Sequence, residues 1–430
     1  MRTARVPPAL ALAPVLLLVF TSRGVGQLPS ASADVWGMGG VATAWVRGFG
    51  AIGANPAGLG MPRAGHATWA LLPVGGVTAM RPVTLFDVGE WNGREIPDLV
   101  REGWLERIED AGRERGAAVA YLTPLAIARG SVGFQLTSTA LVDPRLNPDA
   151  AEFLLFGNAG RSGEPRDFQF AGSSLDAWLV STAALAAALP LPLEIGDAPG
   201  QSFAVGATLK LTVGHLLFLG RDVGSTFSGE PVELGLRFPV LQTDTAYRDL
   251  ESGLGVGLDL GFQWEGDAWG AGLVLTNLVQ TFSWDIDDLH FRPGTALFTT
   301  DVSESGFGAR PGREAPPPLL DARRDFSFGR RLAAGVAHRP GERVLVTAEL
   351  SARFGGGGAL APPLELGGAV EFRATPFLPL RANLGLVTGG VRLGAGTGWT
   401  SGRFNLVGGL GYLTGQDAIL GTVAFSLGGS

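Results

Sequence analysis

Between Leu254 and Phe262 the chain alternates with a period of two. Leu254, Val256, Leu258, Leu260 and Phe262 fall on one side, and Gly255, Gly257, Asp259 and Gly261 on the other. That pattern predicts a β-strand with one apolar face and one small or polar face. It recurs along the chain. Phe203, Val205, Leu209, Leu211 and Val213 alternate with Ser202, Ala204, Gly206, Thr208, Lys210 and Thr212. Val344, Val346, Ala348, Leu350 and Phe354 alternate with Arg343, Thr347, Glu349, Ser351 and Arg353. Leu364, Leu366, Val370 and Phe372 alternate with Glu365, Gly367 and Glu371, and Leu378, Leu380, Leu384 and Leu386 with Arg381, Asn383 and Gly385.

Alternation alone fits a soluble sandwich, whose apolar face is the core, or a membrane barrel, whose apolar face meets lipid. Length and spacing favour the barrel. Many segments run near the ~9–11 residues that cross a membrane as a strand, longer than the ~5–6 usual in globular proteins. Fourteen strands are expected, roughly at 66–74, 116–122, 129–142, 175–188, 201–219, 253–264, 268–278, 330–338, 343–354, 364–373, 378–388, 391–399, 402–413 and 417–427. The connections 75–115, 143–174, 220–252 and 279–329 are long and all fall on one side, whereas 123–128, 189–200, 265–267, 339–342, 374–377 and 400–401 are short. Long outer loops and short periplasmic turns mark outer-membrane barrels. The expected fold class is therefore all-β, a transmembrane antiparallel barrel of about fourteen strands. Trp269, Trp399 and Tyr412, near strand ends, fit its interfacial girdles or ordinary packing.

Two outer segments differ. Within 86–115, Ile96, Leu99, Val100, Trp104, Leu105 and Ile108 recur at helical spacing among charges, which predicts an amphipathic helical insertion packed on the barrel mouth. The Pro-rich and Arg-rich stretch 303–325, inside the long surface loop 279–329, reads as a mobile loop. At the other end of the chain, Arg2 and Arg5 precede the short apolar run Ala9–Phe20, which predicts a signal peptide over 1–26, with cleavage after Gly26 or after Ala33. Residues 27–65 then form an N-terminal segment too glycine-rich for a wall strand and too apolar to hang free, and 66–430 the barrel.

Composition narrows the function. Hydrophobic residues make up 46% against 17% charged, which excludes a disordered chain. The net charge of −7 offers no basic excess to neutralise phosphates, so no nucleic-acid partner is expected. Without cysteine there are no disulfides, thiolate metal sites or Cys nucleophiles. Lys210, the only lysine among many arginines, reads as codon bias rather than chemistry. No phosphate-binding P-loop and no GxSxG elbow occurs. His66, His215, His290 and His338 are scattered, and Asp285, Asp287 and Asp288 lack a glycine-bearing calcium loop. Gly355 to Gly358 reads as a turn. No catalytic residue, metal ligand or cofactor is expected, and no enzyme activity. Arg343, Arg353, Glu349, Glu365, Glu371, Arg373 and Arg381 fit either charge pairs filling a barrel interior or a polar pathway.

The most specific signal is N-terminal. Gly37-Met38-Gly39-Gly40-Val41-Ala42-Thr43-Ala44 is followed by Ala54-Asn55-Pro56-Ala57-Gly58-Leu59-Gly60. This pairing resembles the start of mature FadL-like outer-membrane proteins, a superfamily of long-chain fatty acid and hydrocarbon channels that also holds the accessory barrel of type IX secretion. The resemblance implies a fourteen-stranded barrel whose N-terminal hatch plugs the lumen, with Gly37, Met38, Gly39, Gly40, Asn55, Pro56, Ala57, Gly58 and Leu59 as its motif residues. The helical insertion places the chain nearer to uncharacterised members. The expected role is passing or binding small hydrophobic molecules across the outer membrane of a Gram-negative cell. The alternative is a non-transporting barrel that docks secreted or surface proteins on its long loops. Expected partners are the lipid bilayer, lipopolysaccharide, the barrel-assembly machinery and a hydrophobic small molecule.

Overall fold

The alternating segments pair edge to edge into one wall. The computed structural model describes residues 28–62, 67–193, 200–243, 251–299, 301–354, 362–401, 404–415 and 417–427. The expected signal peptide, residues 63–65 of the N-terminal segment, His66 and Gly355–Gly358 lie outside the described residues. Fourteen antiparallel strands follow chain order: β1 Thr68–Arg81, β2 Glu114–Arg129, β3 Val132–Leu146, β4 Ser174–Leu191, β5 Ser202–Arg221, β6 Gly253–Glu265, β7 Trp269–Gln280, β8 Arg330–Gly341, β9 Val344–Phe354, β10 Leu364–Thr375, β11 Leu378–Val387, β12 Gly390–Ser401, β13 Phe404–Leu413 and β14 Ala418–Leu427. Each pairs with its successor, and β14 closes on β1 from Ala79↔Ala418 to Trp69↔Leu427. Closure removes the free edges of the wall.

The faces decide what kind of barrel this is. Leu254, Val256, Leu260, Val346, Leu350, Leu366 and Leu384 stand exposed on the outside, while the same strands bury Asp259, Gln263, Thr347, Glu349, Glu365 and Asn383. A soluble barrel would put the apolar set inside. Apolar-out and polar-in is the arrangement of a transmembrane barrel. Trp269 and Trp399 stand outward near the short-turn ends of β7 and β12, 53% and 51% exposed, as interfacial anchors do. Tyr412 sits at the other end of β13, hydrogen-bonded to Asp417 and edge-on to Phe86.

Strands β1 and β2 overrun the sequence-based boundaries of 66–74 and 116–122, and the expected turn at 123–128 is wall. Pairing runs Leu71↔Leu125 and then Val74↔Leu122, leaving Leu72-Pro73 opposite Thr123-Pro124 unpaired. The β1–β14 and β2–β3 ladders slip at the same height, and Leu72 takes a left-handed φ of 51°. A bulge shifts the phase of the period-two pattern. Inward positions accordingly switch from Thr68 and Ala70 to Pro73, Gly75 and Ala79. A strict alternation search stops at such a slip.

The long connections emerge at one end and carry more structure than expected. Between β1 and β2 lie α3, Leu85–Glu90, and α4, Asp98–Ala111, while residues 114–115 already belong to β2. Trp104, Leu105 and Ile108 are buried, but Leu99 is 81% exposed, because α4 packs on Ala151 and Leu155 of α5 (Pro148–Phe156) and Leu99 faces away from that contact. A five-stranded outer sheet joins Phe168–Gln169, Thr226–Gly229, Val232–Arg237, Thr295–Phe298 and Ser303–Gly306. The stretch 303–325 is thus not a structureless loop. It also holds α6, Pro317–Arg324, whose Leu319 is fully buried. Proline at its first turn starts the helix rather than breaking it.

Candidate functional site

Residues 28–62 lie within the barrel. Leu28, Val35, Met38, Val41, Val46, Ile52, Leu59 and Met61 are at most 5% exposed, and the wall holds their backbone by hydrogen bonds. The helix α1, Ala33–Gly37, leads into the glycine motif. The Asn383 side-chain amide donates to the Gly37 carbonyl at 3.0 Å, and Gly39 takes a positive φ of 67° beside it. Glu349 Oε2 accepts the N–H groups of Ala42 and Thr43 at 3.1 and 3.0 Å while its other oxygen pairs with Arg331. After α2, Ala51–Ala54, the Asn55 amide donates to Thr43 O at 2.7 Å and to Phe262 O at 3.1 Å, and its oxygen accepts the Ala57 N–H at 3.2 Å. Asn55 therefore ties the two motif halves to each other and to β6. Pro56, Ala57, Gly58 and Leu59 follow as a buried turn.

The wall is shaped for this segment. A Cβ on Gly206 would lie 2.4 Å from the Pro56 carbonyl carbon, and one on Gly272 2.0 Å from Thr43 O. Gln135, Gln263 and Thr208 add bonds to the carbonyls of Pro29, Ala44 and Ile52. Arg381 bridges Asp34 at 2.7 Å and Glu371 at 2.8 Å, and Arg392 pairs with Glu365. Glu349 and Arg381 thus fasten the enclosed segment directly, while Arg331 and Glu371 pair with them on the wall.

Above it, Lys210 is fully buried. Its Nζ donates to Asp259 Oδ1 at 2.6 Å and to Asn277 Oδ1. Asp259 also accepts the Asn277 N–H at 2.7 Å, and the Asn277 amide donates to Gly329 O at 3.0 Å. Lys210, read from the sequence as codon bias, thus has a structural place in the wall. The available signal was its place on the polar side of the β5 alternation, where a lone lysine needs a partner.

Above this polar layer the interior turns apolar. Trp178, Leu217, Leu219 and Leu241 meet Phe282, Trp284, Leu289, Leu319 and Phe328 from the 281–329 connection. Phe326 packs edge-on to Trp178 and Phe328. This cap of aromatic rings was not expected, since its residues are dispersed through segments without periodicity.

On the β1–β3 side an apolar surface continues downward. Tyr121 packs against the cap and also lies 5.5 Å, ring to ring, from Trp36 of the enclosed segment. Below it a small, partly open cleft is lined by residues that include Pro29, Ala33, Trp36, Pro73, Tyr121 and Thr123. Val74, also in its lining, is 51% exposed on the outer face, so the cleft reaches the bulged wall. Pro73 and Pro124 supply no N–H there, which weakens the ladder locally.

The remaining sequence candidates are dispersed. His338 stacks on Trp269 at 4.2 Å and bonds Ala268 O at the short-turn rim. His215 lies in β5, and His290 in the short outer strand Leu289–Arg292. Asp287 pairs with Arg313, and Asp285 Oδ1 accepts the Asp287 N–H at 3.0 Å.

No family model matches the chain, and no curated protein matches it in sequence. Solved structures do match. A mutant of the monoaromatic hydrocarbon channel TodX superposes with a TM-score of 0.50 at 12% identity, covering 96% of this chain and 100% of that one. The fold is that of a FadL-like barrel. The toluene transporter TodX of Pseudomonas putida gives 0.49 at 13% identity over 96% and 100% of the two chains, and the monoaromatic hydrocarbon channel CymD 0.48 at 13% over 96% and 99%. At such identity the likeness to FadL-like barrels is one of architecture, so residue roles rest on this chain's own geometry.

Proposed function

We propose that the protein is an outer-membrane channel that passes small hydrophobic molecules, with residues 28–62 as its plug. The observation that carries this reading is the continuous apolar surface from the aromatic cap, past Tyr121 and Trp36, to the cleft under the bulged wall of β1 and β2. A water-filled pore has no use for such a lining, whereas an apolar solute crosses it without unpaired polar contacts. The plug stands across a straight path to the periplasm, and the ladder is interrupted beside the cleft. The proposed route therefore leaves sideways at Pro73 and Pro124.

Uptake of labelled monoaromatic and alkyl compounds into vesicles holding the purified protein tests the reading. Uptake should exceed that of empty vesicles, and Tyr121→Arg should abolish the excess. Rates equal to empty vesicles would refute it. The five-stranded outer sheet, with Val232, Leu297 and Phe298 exposed, favours the docking-platform reading. Specific pull-down of a surface protein without solute uptake would establish that reading instead.

A further inference from the structure

On the inner face of β8, β9 and β12, near their long-connection ends, three guanidinium groups share two carboxylates. Arg331 is the direct cross-strand partner of Arg353, in a ladder that runs without slip from Arg330↔Phe354 to His338↔Val346. Direct partners hold their Cβ atoms about 4.5–5.5 Å apart, and like charges so placed destabilise a sheet. Arg392 of β12 is the third cation, acting on Arg353 together with Arg331, and Glu365 of β10 is the carboxylate that acts on it. Both carboxylates of the cluster are already engaged. Glu349 pairs with Arg331 and accepts the Ala42 and Thr43 N–H groups, and Glu365 pairs with Arg392. Among the described residues the Arg353 side chain makes no ion pair and no hydrogen bond. The Nε atoms of Arg331 and Arg392 are buried and likewise without an acceptor.

Strand parity fixes where the Arg353 side chain goes. Val346 and Leu350 stand outward, Thr347, Glu349 and Ser351 are buried inward, and Arg353 continues the inward set. It lies four residues beyond Glu349, roughly 13 Å of strand toward the long-connection end. The contact that holds Ala42 and Thr43 is therefore complete without it. Across the lumen stands Tyr121 of β2, seven strands away in a wall of fourteen and so on the opposite side. Arg353 is nonetheless the charged group that acts on Tyr121, so the guanidinium reaches inward from its own wall. The Tyr121 hydroxyl makes no hydrogen bond among the described residues. Donors from two sides of the lumen thus meet with no acceptor between them. An unpaired cation away from bulk water is costly, and a bound anion removes that cost.

We propose that Arg353, with Arg331 and Arg392 beside it and the Tyr121 hydroxyl opposite, forms a binding site for a small inorganic oxyanion of the phosphate or sulfate type. The Arg353 fork presents parallel N–H donors to two oxygens of such an ion. The two free Nε–H groups and the Tyr121 hydroxyl supply further donors. One negative charge there balances the three guanidinium groups against the two carboxylates, and it frees Arg331 from repulsion so that it stays on Glu349, which holds the plug. The ion has no apolar part, so the site does not depend on the hydrophobic-channel reading and goes beyond it.

The test uses the full chain in a non-ionic detergent, dialysed free of phosphate and sulfate, with radiolabelled inorganic phosphate as the probe. Phosphate should bind saturably, sulfate should displace it, and phosphate should raise the temperature of unfolding. Arg353→Gln should weaken binding at least about tenfold. In anion-free buffer the same variant should unfold at a higher temperature than the native protein, because it removes the cation that faces Arg331 unpaired. Arg353→Lys should keep part of the binding, and Arg373→Gln, at the short-turn end of β10, all of it. Heat-modifiable gel mobility confirms that each variant is folded. No saturable binding by the native protein overturns the site, as does equal binding by Arg353→Gln or equal loss in Arg373→Gln. Octyl phosphate bound without competition from inorganic phosphate also overturns it. Solute uptake is read in a separate assay, so failure here leaves the channel reading standing.

Discussion

At the residue scale, the interior shows how single side chains do several jobs. Lys210, Asp259 and Asn277 form a closed set in which each polar group meets another, and Asn277 extends it to Gly329, the last residue before β8. The set therefore joins three neighbouring wall strands to the stem of the 281–329 connection. Lys210→Ala leaves Asp259 buried without its cation and should cost ~3–5 kcal/mol in urea unfolding, whereas Lys210→Met/Asp259→Leu should recover part of the loss, the rest being the Asn277 N–H and Oδ1 left without partners. Equal destabilisation by the single and double variants would contradict this account. The same position shows where reading the chain fell short. The alternation of β5 marked Lys210 as inward, but its partners lie 49 and 67 residues away.

At the element scale, the wall strands obey one rule, apolar outward and small or polar inward, and it is testable on β6. Leu258 lies on the outward parity between Val256 and Leu260. Leu258→Arg should cost ~2–4 kcal/mol if the position is near the bilayer midplane, read from folding equilibria in vesicles. Gly257, its inward neighbour, directly opposes Lys210, so an added arginine there meets a like charge and is no neutral control. Leu254→Ser, at the exposed strand end, serves better and should cost far less. The proposed plug makes a separate prediction. Deleting 34–62 should leave a heat-modifiable barrel whose conductance in planar bilayers rises well above that of the intact protein. Unchanged conductance in a folded deletion variant would remove the plug from the account.

The outer helices are held by local polar contacts and should respond to acid. Asp87 closes a capping box on Thr84 and pairs with Arg107 at 3.1 Å. Partial burial raises its pKa, but the hydrogen bonds from Arg107 and from the Thr84 main chain and hydroxyl outweigh that, leaving it below 3.8. A depressed carboxylate pKa contributes stability that is complete above 3.8 and is lost as pH falls through the lower folded value. Protection of the Leu85–Glu90 amides, relative to their intrinsic exchange at each pH, should fall across that acid window, and Asp87→Asn should show low protection already at neutral pH.

At the scale of the whole molecule, much of the architecture was legible along the chain. Period-two alternation located fourteen strands and the side on which the long connections emerge, because a wall with lipid outside and a polar interior imposes that period at every crossing. The glycine and Asn-Pro motifs marked the segment that now lies enclosed. What the chain alone determined is therefore the periodic part: strand positions, face assignment and the composition of a cysteine-free membrane barrel. Tertiary structure decided what has no period. The paired bulges at Leu72-Pro73 and Thr123-Pro124 break the alternation, so the wall beyond them read as loop. The aromatic cap gathers residues from Trp178 to Phe328 that never recur at a fixed spacing. Arg81, Arg115 and Arg145 stand side by side only because the register sets position 115 between 81 and 145. Sequence patterns report the environment of each residue in turn, and these features depend on which distant residues share a height and a face, which only closure of the barrel sets.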